Sequence, residues 1–158
     1  MAAIDVGSEA IGRDDDCSAT NTLIALDNPA NLDGEITSIE IWAKNALTGL
    51  KVGMFYLVSE TTYKCRSAVA IGDVAAGSKV TKTFSGISVV TNDLIGMYFT
   101  TGDMERSGSG EAGGLYISGD KVTVDDETEY TAWDGVTFSI KGIGAELAGA
   151  HQRGYIVG

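Results

Sequence analysis

Three consecutive carboxylates, Asp14, Asp15 and Asp16, form the first cluster of residues in the sequence that could bind a metal ion. Ca²⁺ takes about six to eight oxygen ligands, so carboxylates crowded on one loop can supply several of them. Asp5 and the acidic run at 125–127 are further oxygen donors that the fold could bring close. The spacing matches no EF-hand loop, and a solvated acidic loop is the simpler interpretation. The sequence therefore leaves calcium open as a cofactor.

Aromatic side chains are the second group that could bind a ligand. Trp42, Trp133 and Tyr130 offer flat apolar faces on which a pyranose ring could stack, as in carbohydrate modules built on sandwich folds. Side chains of this size also fill the cores and interfaces of proteins. A glycan is therefore a candidate partner, with core packing as the competing interpretation.

Groups for acid–base or nucleophilic catalysis are scarce. His151 is the only histidine and lies in the Gly-rich tail, so we expect no Ser-His-Asp triad and no multi-histidine metal site within one chain. Glu40 and Glu60 could be imagined as the paired carboxylates of a glycoside hydrolase. Glu40, however, alternates with apolar residues along its segment, so we expect it to face solvent or another subunit. The sequence predicts a protein that is not an enzyme.

The formal net charge of −11 limits the partners of the chain. A field of this sign repels the phosphates of nucleic acids and the headgroups of anionic lipids, whose binding depends on Lys and Arg. No stretch approaches the ~20 apolar residues that span a bilayer, and the N-terminus lacks a basic region followed by an apolar run. We therefore expect no nucleic-acid partner, no membrane partner, and synthesis in the cytoplasm.

The elements that must position these residues show apolar and polar side chains alternating with a period of two, interrupted by Gly, Asn, Asp and Ser. The alternation is clearest over 36–43, 52–58 and 136–141 and is typical of antiparallel strands. Residues 47–50, Leu-Thr-Gly-Leu, predict a hairpin connection between the first two strands. About eight such strands without long helices favour an all-β fold, a two-sheet antiparallel sandwich like a jelly roll, with a closed barrel as the alternative.

The chain is predicted to form a single β-sandwich domain over residues 1–158, with extending arms at 1–12 and 145–158. A chain of this length can bury a core without a covalent staple. Its ends carry short apolar segments, which could add as strands to the sheet edge of a neighbouring molecule or pair within their own domain. The residues predicted to act in assembly through these arms are Ile4, Val6, Tyr155, Ile156 and Val157.

The two cysteines, Cys17 and Cys65, lie far apart in the sequence and in no metal-ligand spacing. They predict either two buried thiols or one disulfide that closes a long loop. A free cysteine usually packs as a small hydrophobic side chain, which favours the buried thiols. A disulfide would instead indicate an oxidising final environment.

Three stretches carry a resemblance: Asn28–Asn31 running into Gly34–Ala43, then Gly49–Tyr56, then Asp93–Phe99. Together they resemble small β-sandwich proteins of tailed phages that act as virion components, such as capsid decoration or tail-associated proteins. Jelly-roll carbohydrate modules share the same order of strand, turn and aromatic strand. The resemblance implies assembly on a lattice or filament, in a virion or another extracellular assembly, with termini that reach neighbouring subunits.

These observations predict a structural, self-assembling or capsid-associated protein of the decoration or coat type. It would act through contacts with copies of itself or with a capsid or tail lattice. The alternative is a carbohydrate-binding module of an adhesive or tail-associated system. Oligomers in light scattering would favour the first hypothesis, whereas loss of glycan binding on removal of one exposed tryptophan would favour the second.

Overall fold

Thirteen β-strands and no helix make up the part of the chain that the computed structural model describes, residues 2–108 and 112–147. The predicted all-β fold is confirmed. Within this part, no helix has the length and apolarity that crossing a membrane requires. The strands are β1 (Ala3–Gly7), β2 (Asp15–Ser18), β3 (Asn21–Ala25), β4 (Gly34–Ser59), β5 (Thr62–Val74), β6 (Lys79–Val89), β7 (Leu94–Tyr98), β8 (Thr101–Ser107), β9 (Gly114–Ser118), β10 (Glu127–Glu129), β11 (Thr131–Trp133), β12 (Thr137–Phe138) and β13 (Ile140–Ala145).

The long strand β4 connects the two parts of the structure. Its first part, 34–42, lies between β13 and β6, and its last part, 51–57, lies between β5 and β7. Register shifts bend the strand between these parts, where it pairs with β8. Gly49 has a φ of 64° at the bend, a left-handed conformation that glycine adopts readily because it has no Cβ. The predicted hairpin at 47–50 is therefore wrong, because the glycine serves an irregular bend within one continuous strand.

The pairing links all the described strands into one antiparallel sheet, along the path β1-β13-β4-β7-β3-β9-β11. β5, β6 and β8 join this path through β4, while β2 and β12 join through β8 and β10 joins through β5. The described end strands β1 and β11 do not pair with each other, so the sheet does not close into a barrel. The division into two separate sheets stays a prediction, because β4 belongs to both parts.

The main hydrophobic core lies between the two parts of the bent sheet. Ile36 from the first part of β4 and Val52 from the last part belong to one buried cluster. Gly142 on β13 shows how closely the layers meet: a Cβ there would lie 2.9 Å from Val6 Cγ1 on β1 and 3.1 Å from Ile95 Cδ1 on β7. Removal of these apolar faces from water is the main force that holds the strands together.

A second buried cluster lies on the opposite face of β3, β4 and β7. Ile24, Phe55 and Leu94 belong to it, and each is adjacent in sequence to a residue of the main core, so the two sets point to opposite faces. Val122 and Tyr130 cover this face from the segment that follows β9. The strands at this end of the structure are therefore buried on both faces.

Both cysteines are buried free thiols, Cys17 in the main cluster and Cys65 in the second. Of the two predicted states, the structure thus shows the pair of separate thiols. Burial is the main cause that raises the pKa of Cys17 to about 12 and the pKa of Cys65 to about 11. Both side chains therefore remain protonated and apolar at neutral pH.

Candidate functional site

The three carboxylates predicted to bind calcium do not converge. Asp14 precedes β2, while Asp15 Oδ2 lies 3.1 Å from Arg106 Nη2 and Asp16 Oδ2 lies 3.0 Å from Lys44 Nζ. Successive side chains of a strand point to opposite faces, so Asp15 and Asp16 bind separate cationic side chains. No group of three or more His, Cys, Asp and Glu side chains within 2–108 and 112–147 could hold a metal ion. The predicted calcium site therefore has no ligand set in these ranges.

The N-terminal residues predicted to act in assembly lie in the core of their own domain. Ile4 is 1% exposed and Val6 is 0% exposed, and β1 pairs along its whole length with β13. Full burial of each such side chain stabilises the fold by about 1.5–3 kcal/mol, which an exposed arm would forgo. The structure thus shows the intramolecular alternative for this end, and an extending arm is wrong for 3–7. The remaining predicted residues lie outside the described residues: Tyr155, Ile156 and Val157, together with His151.

The outer edge of β1 is capped by the loop between β3 and β4. Asn31 accepts a hydrogen bond from the Asp5 backbone N–H at 3.1 Å and donates one to the Ala3 carbonyl at 3.1 Å. The side-chain amide of Asn28 donates to the Gly7 carbonyl at 3.2 Å, and the backbone carbonyl of Asn28 accepts a hydrogen bond from the Gly7 N–H at 3.0 Å. Backbone groups that a neighbouring strand would use are therefore already occupied.

Tyr130 cannot serve as a sugar platform, because it is 3% exposed. Its ring packs edge-on against Phe55 and Tyr63, with centroid distances of 6.3 Å and 6.2 Å. Burial, together with nearby Asp126 and Cys65, raises the pKa of the phenol well above its ordinary value. The prediction of glycan binding by Tyr130 is wrong, and the competing interpretation, core packing, is confirmed for this residue.

The two tryptophans are both half-buried but differ in their surroundings. Trp42 lies against the backbone near Gly12, where a Cβ would be 3.5 Å from the indole Cζ2. Trp133 has the Arg106 guanidinium over its ring at 4.7 Å and the Phe138 ring edge-on at 5.8 Å. Both rings are thus partly covered, and only Trp133 borders a cavity described below.

A cavity of about 410 Å³ opens beside Trp133 and is lined by Asn21, Tyr116, Ala132, Trp133 and Asp134. Tyr116 meets Trp133 edge to face, with ring centroids 5.7 Å apart and planes at 76°. Tyr116 is 39% exposed and is the only aromatic side chain of the described residues with this degree of exposure. The cavity therefore combines an accessible aromatic ring with an amide and a carboxylate.

Three neighbouring strands place Asn21, Tyr116 and Trp133 on one face. Tyr116 of β9 lies opposite Leu23 of β3 and opposite Thr131 of β11. Asn21 and Trp133 are each two residues further along, so they lie diagonal to Tyr116 on the same face. Asp134 follows β11 directly. Of this set, the sequence predicted a binding role only for Trp133.

The strand β6 differs from β1 because no described element covers its second side over 79–86. It has 11 residues and is the longest described strand with a single partner, β4. Within the described residues, no hydrogen bond reaches 79–86 from any element other than β4. Thr81, Thr83 and Ser85 are exposed, while the alternating residues Val80 and Phe84 pack on the main core.

The carboxylates considered for glycoside hydrolysis are far apart. Glu40 lies in the first part of β4 with its Oε2 3.8 Å from Lys79 Nζ, and Glu60 is exposed in the turn after β4. They therefore form no acid pair.

Comparison of the sequence with models of protein families and with curated proteins gives no match.

Proposed function

We propose that the protein is a structural module that assembles with copies of itself by pairing of β6 with β6 of a second copy. The observation that carries the proposal is the edge of β6 over 79–86, which has no hydrogen bond to any described element other than β4. Such an edge presents a row of unpaired N–H and C=O groups, which pair readily with another strand. Backbone hydrogen bonds would then supply affinity and the alternating side chains specificity.

The other described strands with a single partner offer much less for such pairing. The edge of β1 is capped by Asn28 and Asn31, and β10 and β11 have three residues each. A short or covered edge is a common way in which proteins prevent pairing with other chains. Among the described strands with a single partner, β6 is therefore the one long enough for an extended contact between copies.

A two-fold axis at Thr83 gives a register that suits the side chains of β6. In this antiparallel pairing Thr83 faces its own copy, and Thr81 faces Ser85 of the second copy. Cross-strand pairs of hydroxyl side chains stabilise antiparallel sheets by about 0.2–1 kcal/mol each. The contact is closed and self-complementary, as in most homodimers.

Charge supports the same edge. β6 carries Lys79 and Lys82 and no acidic residue, whereas the chain as a whole has a net charge of −11. Copies of an acidic protein repel one another, and this repulsion is weakest where the local charge is positive. In the register above, Lys82 faces Phe84 of the second copy, so the two Lys82 side chains do not oppose each other.

Replacing Thr83 with lysine tests the proposal, because it places two like charges opposite each other on the axis. We expect the wild-type chain to form a dimer or larger oligomer and Thr83→Lys to weaken the association about fivefold or more. Sedimentation velocity or size exclusion with light scattering over a concentration series measures the dissociation constant.

Thr123→Lys is the matched control, since Thr123 is exposed between β9 and β10 and the substitution adds the same charge. It should associate like the wild-type chain, with circular dichroism confirming that both variants fold. A wild-type chain that stays monomeric at about 100 μM would overturn the proposal. Equal association of the two lysine variants would overturn it as well.

We also propose that such contacts place the protein in a larger assembly, a capsid or tail lattice in a virion or an extracellular assembly. Support for this part comes from the resemblance to phage virion proteins and from the free edge of β6. Electron microscopy of the purified wild-type chain should show ordered oligomers, or binding to a capsid shell, that Thr83→Lys reduces. Only single particles of monomer size would count against it.

A further inference from the structure

We infer that the cavity between β3, β9 and β11 binds a neutral saccharide, with one pyranose ring stacked on Tyr116 and hydroxyl groups bonded to Asn21 and Asp134. The volume of about 410 Å³ falls within the range of about 300–1,000 Å³ that is usual for small-molecule sites. The cavity lies at β9 and β11, whereas the proposed assembly uses β6, so saccharide binding and assembly can each be absent without the other.

Tyr116 supplies the apolar part of the site. Its side chain is 39% exposed, although an aromatic ring of this size gains from leaving water. Its edge contact with Trp133, at 5.7 Å between centroids, fixes one side of the ring and leaves the cavity side open. A ring of a ligand with an apolar face, such as the C–H face of a pyranose, would cover this surface.

Trp133 is held rigidly behind Tyr116. The Arg106 guanidinium lies 4.7 Å from the centre of the indole ring. Arg106 is itself fixed, since its Nη2 lies 3.1 Å from Asp15 Oδ2 and its Nε donates to the Asp16 carbonyl at 2.8 Å. The acidic run near the N-terminus therefore orients the wall of the cavity. A wall fixed before binding lowers the entropy cost of binding a ligand.

The polar groups of the cavity are suited to a ligand with several hydroxyl donors. Asn21 donates through its Nδ2 to the Ala19 carbonyl at 3.3 Å, which turns the amide so that its Oδ1 remains an acceptor. No residue within the described ranges binds the Asp134 carboxylate, which only accepts hydrogen bonds when ionised. The lining thus offers oxygen acceptors to which neighbouring sugar hydroxyls can donate hydrogen bonds.

Charge restricts the ligand to a neutral molecule. Asp134 lies in the lining itself, and the chain carries a net charge of −11. Phosphates, sulfates and uronic acids would meet repulsion both at the cavity and at long range. Neutral hexose units are therefore favoured over acidic sugars and nucleotides.

Titration with defined oligosaccharides tests the inference. The probes are maltopentaose, cellopentaose and mannopentaose, with a galacturonic acid pentamer as the acidic comparison, measured by calorimetry or ligand-observed NMR. We expect at least one neutral probe to bind with a dissociation constant of about 0.1–1 mM. Tyr116→Ala should weaken that binding about tenfold or more, while Tyr116→Phe, which keeps the ring, should change it less than about threefold.

Tyr56→Ala is the control for loss of a tyrosine elsewhere, because Tyr56 lies under the Arg66 guanidinium at 4.3 Å and borders no part of this cavity. It should bind the probe like the wild-type chain. Failure of all three neutral probes to bind would overturn the inference. Binding of the acidic pentamer alone, or unchanged binding by Tyr116→Ala, would overturn it too.

Discussion

Replacing Asp93 with alanine should lower the free energy of unfolding by about 3 kcal/mol, because it breaks an ion pair whose carboxylate partner is buried. Asp93 is 1% exposed and accepts hydrogen bonds from Arg66 Nε at 2.6 Å and Arg66 Nη2 at 3.0 Å. It also accepts the Val90 N–H at 3.0 Å, which closes the turn before β7. The effect lies at the lower end of the usual range, since Arg66 keeps 27% of its side chain in water. Chemical denaturation at neutral pH measures the change.

Asp33→Ala is the matched control, because Asp33 binds the same turn from outside. Its carboxylate accepts the Thr91 N–H at 2.8 Å and the Thr91 hydroxyl at 2.9 Å. These donors lower the pKa of Asp33, although the group is fully exposed to solvent. Its loss should cost much less stability than the loss of Asp93. Equal destabilisation by the two variants would show that the turn itself, and not the buried ion pair, carries the effect.

The turn at 91–93 can be recognised from its residue types, Thr, Asn and Asp, but the partner of Asp93 cannot. A turn can be recognised from its own residue types, because Asn92 adopts the positive φ of 79° that asparagine tolerates. Arg66 is 27 positions away, and only the pairing of β4 with both β5 and β7 brings it close. Contacts of this kind depend on strand order, which alternation of side chains leaves open.

The same limit explains the outcome at the N-terminus. The alternation at Ile4 and Val6 correctly indicates a strand, since one face of β1 is buried. Whether that strand pairs with its own domain or with a neighbour is decided by β13 and by the caps of Asn28 and Asn31, far along the chain. A period of two identifies a buried face but not the molecule that covers it.

The binding cavity was predictable only in part. Trp133 was singled out as a large aromatic residue, whereas Tyr130, three positions earlier, proved to be in the core. Asn21 and Tyr116 come from strands that are far apart in sequence and pair through the register of β3 with β9. The apolar segment at 115–117 indicates a short strand, but the sequence does not show which strand pairs with it, so the cavity could not be assembled from the sequence.

Raising the pH from about 8.5 to 11 should lower the free energy of unfolding by roughly 5–6 kcal/mol through the two thiols alone. In the unfolded chain a thiol has a pKa near 8.5, whereas burial raises the pKa of Cys17 to about 12 and that of Cys65 to about 11. Between these values the unfolded chain loses protons that the folded chain keeps, so stability is full below about pH 8.5 and falls as the pH rises. Buried Tyr130, whose pKa is also raised, acts in the same direction from about pH 10, where a tyrosine of the unfolded chain begins to ionise.

Denaturant unfolding across this pH range, with a reducing agent present, measures how the free energy of unfolding changes with pH. The double variant Cys17→Ala and Cys65→Ala is the control, and its change in unfolding free energy with pH should be smaller by roughly 5–6 kcal/mol. The comparison uses slopes and not absolute stabilities, because removal of two buried sulfur atoms also destabilises the fold at neutral pH. Parallel pH dependences in the two proteins would mean that the thiols ionise as readily when folded as when unfolded. That result would contradict the burial of Cys17 and Cys65 in two separate cores, on which the description of both faces of the sheet depends.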